Sequence, residues 1–91
     1  MEDEEEGELV PDPDFREIWR DKKRLLHRLN GPAIVHLDGD STWYYHGAYH
    51  REDGPARDWP TGGLEEWYKH GEKYEPSAHE LMVWKMKKKE W

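Results

Sequence analysis

Six histidines are the residues whose type and spacing most invite chemistry. His27 and His50 stand 23 residues apart, and His46 and His70 stand 24 apart. Equivalent positions of a repeat stack across neighbouring strands, and imidazole is a common zinc ligand. A structural zinc site wants four ligands in a tetrahedron. The chain has no cysteine, and its histidines form no compact cluster along the sequence. Histidines fixed by a repeat are therefore expected to hydrogen-bond a turn or to pack on an aromatic ring. Neither a metal nor any other cofactor is expected.

Carboxylate chemistry meets a similar objection. Glycoside hydrolysis needs two carboxylates at a set separation. Glu65 and Glu66 are adjacent, so on a strand they face opposite sides. Asp38-Gly39-Asp40 reads more simply as a turn. Ser41 and Ser77 lack the strand-turn-helix setting of a nucleophile elbow. No glycine-rich loop is placed to cradle a phosphate. The expectation is a protein that is not an enzyme.

The elements that must position these residues come from the repeat itself. His27-Arg28-Leu29-Asn30-Gly31-Pro32-Ala33 returns as His50-Arg51-Glu52-Asp53-Gly54-Pro55-Ala56. Trp43-Tyr44-Tyr45-His46-Gly47 returns as Trp67-Tyr68-Lys69-His70-Gly71. A fixed short period signals stacked supersecondary units. Each copy reads as two strands and two turns. Ala33–Leu37 and Ser41–Tyr45 are strands joined at Asp38-Gly39, a hairpin dipeptide. His46-Gly47 makes the next turn, and Ala48–Arg51 runs on from it. In the second copy Arg57–Trp59 and Leu64–Tyr68 are strands around a Pro60–Gly63 loop, which absorbs the one extra residue. Leu9-Val10 and Phe15–Trp19 form a worn half-copy, with Trp19 in the place of Trp43 and Trp67. Asp21-Lys22-Lys23 stands there in place of the His-Gly turn. After Tyr74-Glu75 the pattern stops. Ser77 with Glu80 three residues on forms a capping box, which starts a helix. The expected architecture is mainly β. It is an antiparallel β-meander of about two and a half repeats of 23–24 residues, capped by one C-terminal helix. A disordered acidic tail is expected over 1–7, the repeat domain over 8–76 and the helix over 77–91.

Composition bounds the function. The 91 residues suit one small domain, with a net charge of −7, 34% hydrophobic residues and 13% aromatic ones. Its core must be built from rings, which bury a large area each. Residues 1–14 hold eight acids and no base, and residues 85–91 hold four lysines and Glu90. No secretory leader and no apolar span is read in the sequence, so a cytoplasmic protein is expected. Arg16, Arg20, Lys22, Lys23, Arg24 and Arg28 interleave with Phe15 and Trp19, a pattern that could track a single nucleic-acid strand. The acidic total argues against direct nucleic-acid binding. Arg28 and Arg51 are expected to stack on the repeat tryptophans by cation–π contact.

The His-Arg-x-x-Gly-Pro-Ala and Trp-Tyr-x-x-Gly patterns resemble MORN-like repeat variants, of the kind found in tandem in bacteriophage and bacterial proteins. The resemblance covers residues 27–74 well and 8–26 weakly. It implies a single-layer antiparallel β-meander and a non-enzymatic interaction surface, and it implies no particular target. If the resemblance to phage proteins is literal, the chain is an inhibitor that occludes a basic nucleic-acid-binding surface of a host defence protein, of anti-CRISPR or anti-restriction type. Acidic charge would steer such an encounter, and exposed rings would anchor it. The expected partner contacts are Trp43, Tyr44, Tyr45, Trp59, Trp67 and Tyr68, with Asp38, Asp40, Glu65 and Glu66. The alternatives are a structural or assembly module, self-associating as a homodimer through an edge strand or the helix, and a single-strand nucleic-acid binder using residues 15–28. Sequence differences between the copies, such as Tyr45 against Lys69, mark where function departs from scaffold.

Overall fold

The repeat tryptophans are where the strands bend. The computed structural model describes residues 5–88. It holds ten short strands: β1 Glu8–Leu9, β2 Glu17–Arg20, β3 Ile34–Val35, β4 Ser41–Thr42, β5 Tyr44–Tyr45, β6 Ala48–Tyr49, β7 Arg57–Trp59, β8 Leu64–Glu66, β9 Tyr68–Lys69 and β10 Glu72–Lys73. A 3₁₀ turn, Pro60–Gly62, sits in the loop before β8, and the helix α1 spans Ala78–Lys88. The expected strands Ser41–Tyr45 and Leu64–Tyr68 are each split, at Trp43 and at Trp67. Their first halves join a six-stranded antiparallel sheet of order β1-β2-β3-β4-β7-β8. Their second halves leave it as the hairpins β5–β6 and β9–β10. The meander is therefore antiparallel with one helix, as expected, but it folds over at Trp43 and at Trp67.

Backbone bonds hold the bends in repeat-equivalent places. The Trp19 carbonyl accepts His27 N–H, that of Trp43 accepts His50 N–H, and that of Trp67 accepts Tyr74 N–H. Trp19 and Trp43 also donate their N–H groups to Ala33 and Ala56. These two alanines are fully buried, and Ile18, Ile34, Trp67 and Trp84 complete the apolar core.

The hairpin tips follow from local chemistry. His46 and Gly47 have φ of 48° and 89°, and His70 and Gly71 have 52° and 82°. Two positive φ values in a row are the signature of the two-residue turn whose twist matches the flanking strands. Glycine takes the second position without steric cost. Histidine in the first is held by a hydrogen bond from outside the turn: the His46 N–H donates to His27 Nδ1, and the His70 N–H to His50 Nδ1, both at 2.9 Å.

Each Gly-Pro-Ala is shaped by an arginine. The Arg28 guanidinium lies 4.0 Å from the Trp19 ring centre, and that of Arg51 lies 3.9 Å from Trp43. Each also donates Nη1–H to the carbonyl of the repeat proline, Pro32 or Pro55. The expected cation–π stacks are thus present, with a further function: the guanidinium presses on the repeat glycine. A Cβ on Gly54 would lie 2.9 Å from Arg51 Cζ and 3.0 Å from Trp84 Cζ3. Only hydrogen fits between them.

The capping box forms as expected. Glu80 N–H donates to Ser77 Oγ, and Ser77 N–H donates to Glu80 Oε1. On the helix Trp84 is buried, whereas Met82 and Met86 are exposed. Trp84 meets Trp67 edge to face and lies over Arg51. Its Nε1–H and the Lys88 Nζ–H both reach Glu65 on β8. The helix covers the β8 end of the sheet and leaves β10 exposed. At the other end Glu5, Glu6 and Gly7, expected to be tail, lie against the first repeat. Glu5 accepts Lys22 N–H on its carboxylate and His27 Nε2–H on its carbonyl, and Glu6 accepts Leu29 N–H. Residues 1–4 of the expected tail, and 89–91 of the expected helix, lie outside the described residues.

Two alanine substitutions separate this packing from general glycine effects. Gly54→Ala should destabilise by about 1–3 kcal/mol, because the new methyl forces the stacked arginine and Trp84 apart. Gly62→Ala has open space around it and no positive φ, so it should stay within about 0.5 kcal/mol of the parent. Urea unfolding of both, followed by tryptophan fluorescence, gives the comparison.

Candidate protein interface

Strand register sorts the side chains of the large sheet onto two faces. Across β2, β3, β4, β7 and β8, one face carries Ile18, Ile34, Thr42, Arg57 and Glu66 as successive cross-strand partners, and the other carries Glu17, Val35, Ser41, Asp58 and Glu65.

The face with Glu17 and Glu65 is occupied by the locks. Arg28 pairs with Glu17 at 3.3 Å, and the Trp19 indole also donates to that carboxylate. Asp58 is half-buried here. Burial pushes its carboxyl up, and the neighbouring Glu65 pushes it further, while Arg51 pulls it back. Arg51 is a guanidinium weakened by burial and supported by Asp53. These groups are spent on the fold.

The face with Thr42 and Arg57 bears a run of half-buried rings. Phe15 lies 5.6 Å from His36, and His36 lies 6.0 Å from Trp59. The Arg57 guanidinium lies over Trp59 at 4.5 Å and over Tyr49 at 5.6 Å. Tyr49 touches Tyr44 at 5.0 Å and Tyr68 at 4.8 Å. The strip is fixed from beneath. Trp59 donates its indole N–H to Thr42 Oγ1, and Arg57 is held by Glu66 at 2.7 Å. Burial, with the Tyr49 hydroxyl beside it, pushes the Tyr44 hydroxyl up to about 12.

Of the ten expected contact residues, Tyr44, Trp59 and Tyr68 fall on this strip. Trp67 and Asp40 do not reach a surface: they are 5% and 7% exposed. The correction has a physical cause in each case. Trp67 is the last bend and is closed over by Trp84 and Tyr74. Asp40 accepts both the N–H and the hydroxyl of Thr61, tying the β3–β4 hairpin to the Pro60–Gly62 turn. Trp43 has Arg51 on its ring, and Glu66 is ion-paired to Arg57 and Lys73. Tyr45 lies among His27, His46 and His50, away from the other tyrosines. Asp38 is exposed at the hairpin tip just beyond His36, and Glu65 is exposed under the helix. Phe15, His36, Tyr49 and Arg57 are the residues that sequence reasoning missed. Their alternation across register was the available signal, hidden by strands only two or three residues long.

The basic stretch 15–28 does not form one track. Phe15 joins the strip, Trp19 lies under Arg28, and Arg16 and Arg20 donate to the carbonyls of Leu37 and Arg24.

Four of the six histidines form two hydrogen-bonded pairs. His27 is fully buried; it accepts the His46 N–H on Nδ1 and donates from Nε2 to the Glu5 carbonyl at 2.6 Å. His50 accepts the His70 N–H on Nδ1 and faces Glu52 with Nε2 at 2.8 Å. The fold does gather His50, Glu52 and His70, whose ligand atoms lie within 4.8 Å of one another. Yet a neutral imidazole that accepts on Nδ1 carries its proton on Nε2. The nitrogen that a metal would need is the protonated one, which faces Glu52 at 2.8 Å. The arrangement is a seam between repeats. Beside it a groove of about 560 Å³ is lined by Tyr45, His50, Glu52, Asp53 and His70 among others.

Asp21 reads in the sequence as no more than a turn residue, yet it is buried at the head of this seam. It accepts the Lys23 and Leu25 N–H groups on Oδ1 and meets His46 Nδ1 at 2.6 Å on Oδ2. The His46 hydrogen bond is the main reason its carboxyl lies below the usual range, with the two backbone donors adding to it.

No protein-family model, no curated protein and no solved structure matches the chain.

Asp21 makes a signed prediction. Its folded carboxyl is the stronger acid, so its contribution is complete above the ordinary aspartate range near pH 4 and is lost as pH falls through the lower folded value. The stability gap between the parent and Asp21→Asn should therefore be widest near neutrality and narrow steadily below about pH 4. Urea midpoints taken through the acid range test this. A gap that stays constant or widens in acid contradicts it.

Proposed function

We propose that the chain is a non-catalytic protein-interaction module that binds through the strip Phe15–His36–Trp59–Arg57–Tyr49–Tyr44–Tyr68. The observation that carries the reading is the strip itself. Tyrosine, tryptophan and arginine, half-buried and held by bonds from below, are the composition of binding hot spots. Rings already fixed in place lose little freedom on docking, so more of the contact energy appears as affinity. Of the ten residues expected from sequence, the three that lie on the strip are the ones this reading keeps as anchors.

The partner in this reading presents a basic surface. The chain carries a net charge of −7, and opposite charge speeds and orients encounter. Asp38, next to the strip on the β3–β4 hairpin, is an exposed carboxylate at its margin. The finer form of the proposal is an inhibitor acting in the host cytoplasm, which lies over a nucleic-acid-binding channel and keeps the nucleic acid out. An anti-CRISPR or anti-restriction protein would work in this way, by occlusion and without chemistry. No described helix is long and apolar enough to cross a membrane.

The test is competition. A partner captured from lysate on the immobilised chain should lose its bound fluorescent DNA when the chain is added, and the effect should weaken steeply with salt. Tyr49→Ala should weaken binding by about 2 kcal/mol or more, as expected for a central ring, with unchanged circular dichroism. Met82→Ala, on the exposed side of α1, should leave affinity as it was. A captured partner whose affinity ignores Tyr49 and responds to Met82 would overturn the proposal.

A further inference from the structure

The bent-out hairpins form a second layer whose seams are closed by backbone bonds at repeat-equivalent positions. Gly47 N–H donates to Leu26 C=O at 2.7 Å, and Arg28 N–H donates to Tyr44 C=O at 3.2 Å. One repeat later, Gly71 N–H donates to Tyr49 C=O at 2.8 Å, and Arg51 N–H donates to Tyr68 C=O at 3.2 Å. The first end of this layer is closed by Glu6, whose carbonyl accepts Leu29 N–H. The last end is β10, and it is open.

Register says which groups β10 presents. Glu72 lies opposite Lys69 across the His70-Gly71 turn, and Lys73 lies opposite Tyr68. Tyr74 N–H then donates inward to Trp67 C=O. Inward and outward groups alternate along an antiparallel strand, so the N–H and C=O of Lys73 and of Glu75 point outward. They occupy the places that Tyr49 and Arg51 hold one repeat earlier, where the next hairpin docks. Glu75 stays extended because it precedes Pro76. Glu72, Lys73 and Glu75 are all exposed. Among the described residues, no backbone group meets the outward side of Lys73 or Glu75.

We propose that a second copy of this chain covers that edge, its β10 running antiparallel about a two-fold axis through Tyr74, with Lys73 of each copy opposite Glu75 of the other. The register is dictated twice. Only residues with outward groups can exchange hydrogen bonds, which allows Lys73 opposite Lys73, Glu75 opposite Glu75 or Lys73 opposite Glu75. The first two set like charges face to face, and the third sets opposite charges face to face, twice. Four backbone bonds result, and each Lys73, which meets Glu66 of its own chain at 3.2 Å, gains Glu75 of the second copy as a further partner. The contact is isologous and closes at two copies, so it ends the array without propagating a fibre. It uses an edge distinct from the aromatic strip and does not depend on the function proposed above. A lysine on a short edge strand is otherwise a guard against pairing; here Glu75 supplies its complement.

Sedimentation velocity over a wide range of concentration tests this. The parent should pass reversibly from monomer to dimer. Lys73→Glu alone and Glu75→Lys alone should each weaken the dimer by about tenfold or more, since two attractive pairs become repulsive. An equimolar mixture of the two variants should recover dimer, because each then meets the opposite charge. Circular dichroism of each variant checks that the monomer is folded. A parent that is monomeric throughout, a dimer indifferent to both reversals, or a mixture that stays monomeric would overturn the proposal.

Discussion

One guanidinium between an indole and a glycine is the contact on which this fold depends. Arg51 stacks on Trp43, donates to the Pro55 carbonyl and closes on Gly54 so tightly that a methyl has no room. Arg28 does the same with Trp19, Pro32 and Gly31. The chain has few aliphatic residues to fill a core. A stacked arginine buries its own length and a ring face together, and its remaining donors satisfy carbonyls that the bend would leave unpaired. Trp67, the last repeat tryptophan, has no arginine after it in the repeat, and Trp84 from the helix closes that end.

The lock divides labour between the two faces of the sheet. Carboxylates of Glu17, Asp58 and Glu65 accumulate on the face where the arginines lie, and the helix lysines join them. The opposite face is left to rings that are supported but not covered. Because His27 and His50 hold the turn N–H groups of the next hairpin, the tyrosines on those hairpins are fixed relative to the sheet. The rigidity of the turns is thus handed to the tyrosines of the strip: Tyr44 and Tyr68, which are equivalent in the two copies, and Tyr49, which stands where the second copy has Lys73. The histidines, which first looked like ligands, serve this purpose through their lone pairs.

Local chemistry was legible in the sequence where a motif is its own explanation. The His-Gly turns, the Ser77–Glu80 capping box and the arginine–tryptophan stacks all appear where residue types demanded them, since each involves neighbours in sequence or in the repeat. The bends at Trp43 and Trp67 were not legible, because strand propensity runs unbroken through Thr42-Trp43-Tyr44 and tertiary packing decides the split. Asp40 and Asp21 read as turn residues and are also long-range acceptors, 21 and 25 positions from Thr61 and His46. Tyr49 was hidden for a related reason. Two-residue strands show no alternation of their own, so its place beside Tyr44 and Tyr68 emerges only from register across the sheet. Trp67 reads as an exposed anchor in the sequence because its burial is decided by Trp84, a helix residue 17 positions away that lies outside the repeat.

Arginine and tryptophan act as one energetic unit in this fold. A double-mutant cycle on Trp43 and Arg51 measures this most directly, using Trp43→Leu, Arg51→Met and the pair, each unfolded in urea. The account predicts a coupling energy of about 1–2 kcal/mol, the range of a largely desolvated cation–π contact. Additive costs, with coupling indistinguishable from zero, would mean that the stack is incidental and that something else holds the repeats together.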